Sequence, residues 1–282
     1  MKFDCVKQRD YFGFEVRCLK EKKLFLLDMD GTIYEEETVF DGTYQLLRYI
    51  DSIGGKYVFI TNNSSKSVAD YVEKVNRLGI ESDKDNFFTS TQATIHYLKK
   101  NHFGEKVYCQ GTKSLVKELV EAGIDVTEKV EEGVNVVLVG FDTEITSQKL
   151  RNTCEILATR DVSFIATNPD LRCPVSFGFI PDCGAICNAI SVATDKKPLY
   201  IGKPEPVMVD IVRERFGYTA EETVVIGDRL YTDIVAGINA GVTSVCVLTG
   251  EATAEDIKMG TIKPTYTFRS VKEIWKAMAD FY

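Results

Sequence analysis

The chain is poor in histidine (two, His96 and His102), in proline (seven) and in tryptophan (one), and none of its apolar runs exceeds the length of a strand. Two histidines, and no Cys-x-x-Cys spacing among the eight cysteines at 5, 18, 109, 154, 173, 183, 187 and 246, argue against a structural zinc centre and for free thiols. Met1 to Lys22 mixes charges throughout and has no apolar core of the length export requires. Val136 to Gly140, among the longest apolar stretches, is strand-sized, so neither a signal peptide nor a membrane span is expected and the cytoplasm is the expected location. Basic residues are also short: 34 Lys and Arg against 42 Asp and Glu leave −8, with a pI near 5.1. That balance argues against nucleic acid as the main partner, and a small anionic substrate would need its own local source of positive charge. With 44% hydrophobic and 27% charged residues over 282 positions, the chain is long enough for one large or two modest folded domains.

Four short apolar runs share one design. Leu24 to Leu27 ends at Asp28, Tyr57 to Ile60 at Thr61, Leu199 to Ile201 at Gly202 and Lys203, and Thr223 to Ile226 at Gly227 and Asp228. Continuous β-branched and aliphatic runs of this length read as parallel strands buried on both faces. Helical patterns at Tyr44 to Ile53, Ser67 to Leu78, Pro206 to Phe216 and Asp233 to Ala240 alternate with them. The expected fold is therefore α/β: a doubly wound, Rossmann-like parallel sheet whose ligands bind beyond the carboxyl ends of the strands. Thirty residues separate Asp30 from Thr61, one crossover, but 141 separate Thr61 from Lys203. About a hundred of those exceed what a crossover needs and predict an inserted smaller α/β domain over 93–195, with 1–92 and 196–282 forming the core and 1–22 an N-terminal extension.

The strand ends carry the candidate chemistry. Asp28 and Asp30, at i and i+2 after a buried strand, point to one face and can divide labour as nucleophile or metal ligand and as acid and base; the alternative is an acidic turn that caps a helix. Thr61-Asn62-Asn63-Ser64 offers hydroxyl, amide and backbone N–H groups suited to phosphate, or else an ordinary helix cap. Lys203 is a phosphate-binding cation or a surface lysine. Asp228 and Asp233 add hard oxygen donors that, with Asp28, suit Mg²⁺, or else enrich a helix N-terminus in acid.

Taken in order, Asp28-Met29-Asp30-Gly31-Thr32, Thr61-Asn62-Asn63-Ser64, Gly202-Lys203-Pro204 and Gly227-Asp228-Arg229 through Asp233 resemble the motifs of the haloacid dehalogenase-like phosphohydrolase superfamily. The long insertion, with Ala166-Thr167-Asn168-Pro169-Asp170 and Cys183-Gly184-Ala185, resembles the NagD-like (4-nitrophenylphosphatase-like, type IIA) branch with its α/β C2 cap. The resemblance implies a Mg²⁺-dependent phosphomonoester hydrolase acting on small phosphorylated metabolites through an aspartyl-phosphate. In that reading Asp28 is the nucleophile and Asp30 the acid and base. Asp28, the Asp30 carbonyl and Asp228 hold the metal, with Asp233 behind them, and Thr61, the Asn62 backbone and Lys203 hold the phosphoryl oxygens. Asn168 and Asp170, at the end of a cap strand, are candidates to face the substrate, or else form an Asn-Pro turn. The partner expected is a small phosphomonoester such as a nucleotide or sugar phosphate, without nucleic acid or membrane, and the resemblance is compatible with a homo-oligomer. A phosphomutase of the same superfamily and a non-catalytic phosphate-binding module are the competing readings. The first typically has its cap in the first interval, which is short here, and the second would lack Asp28 or Asp30.

Overall fold

The computed structural model describes residues 8–279; Cys5 and the first seven residues of the extension lie outside it. The chain divides into two compact units. One comprises residues 1–60, 74–87 and 204–282, the other 61–73 and 88–203.

The first unit is built on a six-stranded sheet, parallel from Tyr266–Phe268 through Lys56–Thr61. From one edge to the other its strands are Tyr266–Phe268, Thr243–Val247, Thr223–Gly227, Leu24–Leu27, Lys56–Thr61 and Phe87–Thr89. All four residues of Leu24–Leu27 and all five of Thr223–Gly227 are buried, the signature of strands covered on both faces. The chain moves outward from Leu24–Leu27 in one direction and returns on its other side at Thr223–Gly227, so the strand order reverses between these two. A reversal of this kind opens a crevice at the strands' carboxyl ends. Asp28 and Asp228 are the next residues of those two strands.

Residues 8–22 of the extension cover the sheet edge at Tyr266–Phe268. The Tyr11 N–H donates to the Thr267 carbonyl at 2.7 Å, and the Thr267 N–H donates to Asp10 Oδ2 at 3.0 Å, which satisfies an outward-facing pair of ladder groups. The other oxygen of Asp10 accepts the N–H groups of Phe12 and Phe14 at 3.0 and 2.8 Å. An open edge is a template for further strand pairing, and this segment blunts it. Asp10→Ala is expected to cost about 1–3 kcal/mol, through buried donors left unpaired, and to lower Tm by about 3–8 °C in a thermal melt. An unchanged Tm would remove the extension's structural role.

The second unit has its own five-stranded parallel sheet, in the order Leu199–Tyr200, Ser163–Ala166, Val134–Val139, Lys106–Gln110 and Asp125–Thr127. Val137, Val139, Ile156, Ala166, Cys183, Cys187 and Ile190 pack into its core. Here the expectation for Leu199 to Ile201 is corrected. That run does form a strand, but it pairs with Ser163–Ala166 (Leu199 opposite Ile165, Tyr200 opposite Ala166) and belongs to the second sheet, not the first. The compact unit accordingly reaches residue 203 and also takes in 61–73, beyond the 93–195 expected for the insertion. A hairpin of Arg172–Val175 and Gly178–Pro181 completes it. Among the described residues the seven cysteines are free, four of them buried, and no helix is long and apolar enough to cross a membrane.

Candidate active site

Within the first unit the structure brings Asp28, Asp228 and Asp233 together, one oxygen of each lying within 4.8 Å of the others. Asp28 is anchored by its N–H, which donates to the Ile226 carbonyl at 2.8 Å and continues the ladder one residue past the strand. Asp228, 3% exposed, has Oδ2 fixed by the Glu251 N–H at 2.7 Å and Oδ1 facing the Thr32 hydroxyl at 3.4 Å. Asp233 sits in a wide π-type turn, Leu230–Ile234, and its Oδ2 accepts the Arg229 N–H at 3.0 Å. Space around Asp228 is kept by glycine. A Cβ on Gly31 would lie 2.7 Å from Asp228 Oδ2, and Gly31 also adopts φ +84°, which side chains disfavour. A Cβ on Gly250 would collide with the same oxygen.

This placement decides two of the sequence alternatives. Asp28 and Asp30 do not cap a helix: the chain continues into the hairpin of Tyr34–Glu35 and Thr38–Val39, and the next helix, Thr43–Ser52, opens at Gly42. Asp228 accepts from Glu251 and Thr32, whereas Asp233 lies in the first turn of a helix and accepts the N–H of its N-terminal flanking residue Arg229, as the helix-terminus alternative has it. Asp30 lies apart from the three-carboxylate group and pairs with Lys74 of the helix Val68–Arg77 at 3.6 Å; the Lys74 ammonium also stands 4.0 Å over the Tyr34 ring. Three clustered carboxylates, two of them buried, concentrate negative charge that a divalent cation offsets, and their oxygens are the hard donors Mg²⁺ takes. The same charge acts on Cys246 behind the site, whose thiol is pushed up first by burial and then by Asp228 and Asp233.

Within the second unit, Thr61, Asn62 and Lys203 are all buried. Thr61 Oγ1 accepts the Asn63 N–H at 3.1 Å, and the Asn62 amide bonds both the N–H and the carbonyl of Lys203 at 2.8 Å. The helix-cap alternative for Thr61 to Ser64 fails, because the helix starts at Val68 and its first turn is closed by Ser67 and Asp70. The surface-lysine alternative for Lys203 fails too, since its side chain is fully buried. Asn168 and Asp170, expected to face a substrate, are 0% and 2% exposed and bond to each other at 3.0 Å. Asp170 reaches Asn62 at 2.9 Å, and Asn168 reaches Asp182 at 3.1 Å.

The family described as haloacid dehalogenase-like hydrolase matches residues 25–125, and a second, described as HAD-hydrolase-like, matches 200–274. An acid sugar phosphatase of Staphylococcus aureus is 36% identical over 256 residues, 90% of this chain and 97% of its own length. The chain belongs to the haloacid dehalogenase-like hydrolases. The crystal structure of a 4-nitrophenylphosphatase from Thermotoga maritima superposes with a TM-score of 0.89 at 37% identity, covering 93% of this chain and 99% of that one. A glycerol phosphate phosphatase from Mycobacterium tuberculosis, solved in complex with magnesium, gives 0.85 at 28% identity over 91% of this chain and 77% of that one. The NagD-like, 4-nitrophenylphosphatase-like assignment within the haloacid dehalogenase-like hydrolases stands with these, and the protein is an enzyme of their phosphatase type.

For a haloacid dehalogenase-like hydrolase, the structure also supplies residues that the sequence reading passed over. Thr249-Gly250-Glu251 lies just past the strand Thr243–Val247, the same strand-end design as the four runs above, and it contributes the N–H and the space that fix Asp228. The Thr249 hydroxyl donates to the Gly31 carbonyl at 2.6 Å, which ties this loop to the turn after Asp28. Lys74 had no such signal. Its meeting with Asp30 depends on where a surface-patterned helix packs.

Proposed function

We propose that the protein is a Mg²⁺-dependent phosphatase of small phosphomonoesters that works through an aspartyl-phosphate. The observation that carries this reading is the meeting of Asp28, Asp228 and Asp233 at the reversal of strand order. Asp28 and Asp228, with the Asp30 carbonyl, are the residues to hold the metal, and Asp233 steadies the loop from behind through the Arg229 N–H. A bound Mg²⁺ supplies neutralisation of the phosphoryl charge. Asp28 attacks phosphorus, forming a bond from one of its oxygens as the ester oxygen departs. Asp30 gives that oxygen its proton, then takes one from water, which attacks phosphorus, releases phosphate and restores Asp28. Lys203, Thr61 and the Asn62 backbone hold the phosphoryl oxygens, and Lys203 supplies positive charge to them. Residues 93–195 act as the cap that excludes water and selects the leaving group. The sequence keeps both Asp28 and Asp30, which favours a hydrolase over a phosphate-binding module.

The relatives support small substrates: sugar phosphates, 4-nitrophenyl phosphate and glycerol phosphate are the compounds their names give. The test is release of inorganic phosphate from a panel of such esters by protein stripped of metal. Activity is expected to return with Mg²⁺ and to vanish with a chelator. Turnover indifferent to the chelator would contradict the reading.

A further inference from the structure

The Asn62 side chain works as a clamp within the second unit. Its Oδ1 accepts the Lys203 N–H at 2.8 Å and its Nδ2 donates to the Lys203 carbonyl at 2.8 Å, so one side-chain amide imitates a strand partner for residue 203. The remaining Nδ2 proton goes to Asp170 Oδ2 at 2.9 Å. That oxygen also accepts from Asn168 Nδ2 at 3.0 Å, and Asn168 gives its other proton to Asp182 Oδ1 at 3.1 Å. Asp182 in turn caps the helix Cys183–Thr194 by accepting the Cys183 N–H. The network therefore runs from a helix N-terminus through Asp182, Asn168 and Asp170 to Asn62 and the Lys203 backbone.

Burial makes each link count. Asn62, Asn168, Asp170 and Asp182 are 6%, 0%, 2% and 4% exposed, so a partner removed from the chain is not readily replaced by solvent. The fit is close as well: a Cβ on Gly202 would lie 2.5 Å from Asn62 Oδ1 and 2.7 Å from the Thr167 carbonyl. The Asn62 carbonyl is held by the Ser90 hydroxyl at 2.7 Å, so this residue is fixed through both side chain and backbone.

We propose that Asp170 and Asn168 are positioning residues that hold Asn62 and Lys203 in register for anion capture, and that they do not recognise the substrate's leaving group. The inference rests on the reading that Asn62 and Lys203 bind the phosphoryl group. It reverses the usual consequence of changing a cap residue: loss of Asp170 should weaken every phosphomonoester by the same factor.

Calorimetry with inorganic phosphate in the presence of Mg²⁺, and with Mg²⁺ alone, tests this in Asp170→Ala, Asp170→Asn and Lys203→Met. Asp170→Ala leaves a buried Asn62 donor unpaired, and phosphate affinity is expected to fall about tenfold or more. KM should rise by a common factor across the ester panel, and Mg²⁺ affinity should stay unchanged. Asp170→Asn, whose amide oxygen still accepts from Asn62, should recover most of the loss, and it also serves if the alanine variant folds poorly. Unaltered phosphate affinity in Asp170→Ala, alongside loss in Lys203→Met, would overturn the positioning role and leave the phosphate-binding reading standing. A reordered substrate preference in Asp170→Ala would overturn it in favour of recognition. Unaltered phosphate affinity in Lys203→Met would overturn the reading on which it rests.

Discussion

Asp28→Asn is expected to lower kcat on every phosphomonoester by on the order of a thousandfold or more, because an amide is a poor nucleophile and nothing else at this strand end replaces it. The fold should survive. The substitution keeps the backbone N–H bond to the Ile226 carbonyl, and asparagine matches aspartate in shape. Circular dichroism and Tm check the fold, and single-turnover assays check the chemistry. A folded variant retaining more than about a few per cent of the activity would exclude the covalent route.

The second large effect concerns metal affinity. Asp228→Ala removes a buried carboxylate from the three-oxygen group, and Mg²⁺ affinity measured by calorimetry should fall by more than about a hundredfold. Gly250→Ala should imitate part of this without touching an acid. Its methyl group collides with Asp228 Oδ2, the oxygen already held by the Glu251 N–H, so the carboxylate must turn away. A loss of about 10–100-fold is expected, with Thr61, Asn62 and Lys203 untouched. Wild-type Mg²⁺ affinity in Gly250→Ala would show that Asp228 is not held where the metal needs it.

The legible parts of this fold are those in which local signals agree. Leu24–Leu27 has both ends read from sequence and Val207–Phe216 its C-terminal end, because Lys23 and Asp28 bracket the first and Gly217, in the left-handed region, stops the second. Asp28, Thr61 and Asp228 were legible as strand-end residues because an abrupt change from buried apolar to polar marks each one. The sheet to which a strand belongs was not legible. Leu199 to Ile201 has the design of a core strand, yet its partner is Ser163–Ala166, and partner choice depends on contacts distant in sequence. Tyr266–Phe268 is three residues long, too short for periodicity to register, and the hairpin Arg172–Pro181 is largely exposed, so no apolar face announces it. Asn168 and Asp170 illustrate the same limit on chemistry. Their polarity at a strand end reads as a surface for substrate, and their burial and their bonds to Asn62 and Asp182 are what the sequence did not announce.

The most direct measurement is a rapid acid quench of the enzyme during turnover of 4-nitrophenyl phosphate with Mg²⁺, followed by peptide mapping. One phosphoryl group, labile to hydroxylamine as an acyl phosphate is, is expected on the peptide that contains Asp28, formed no slower than nitrophenol appears and absent from Asp28→Asn. An unlabelled Asp28 peptide in an enzyme caught mid-turnover with Asp30→Asn slowing breakdown, or a label that persists in Asp28→Asn, would contradict the covalent route.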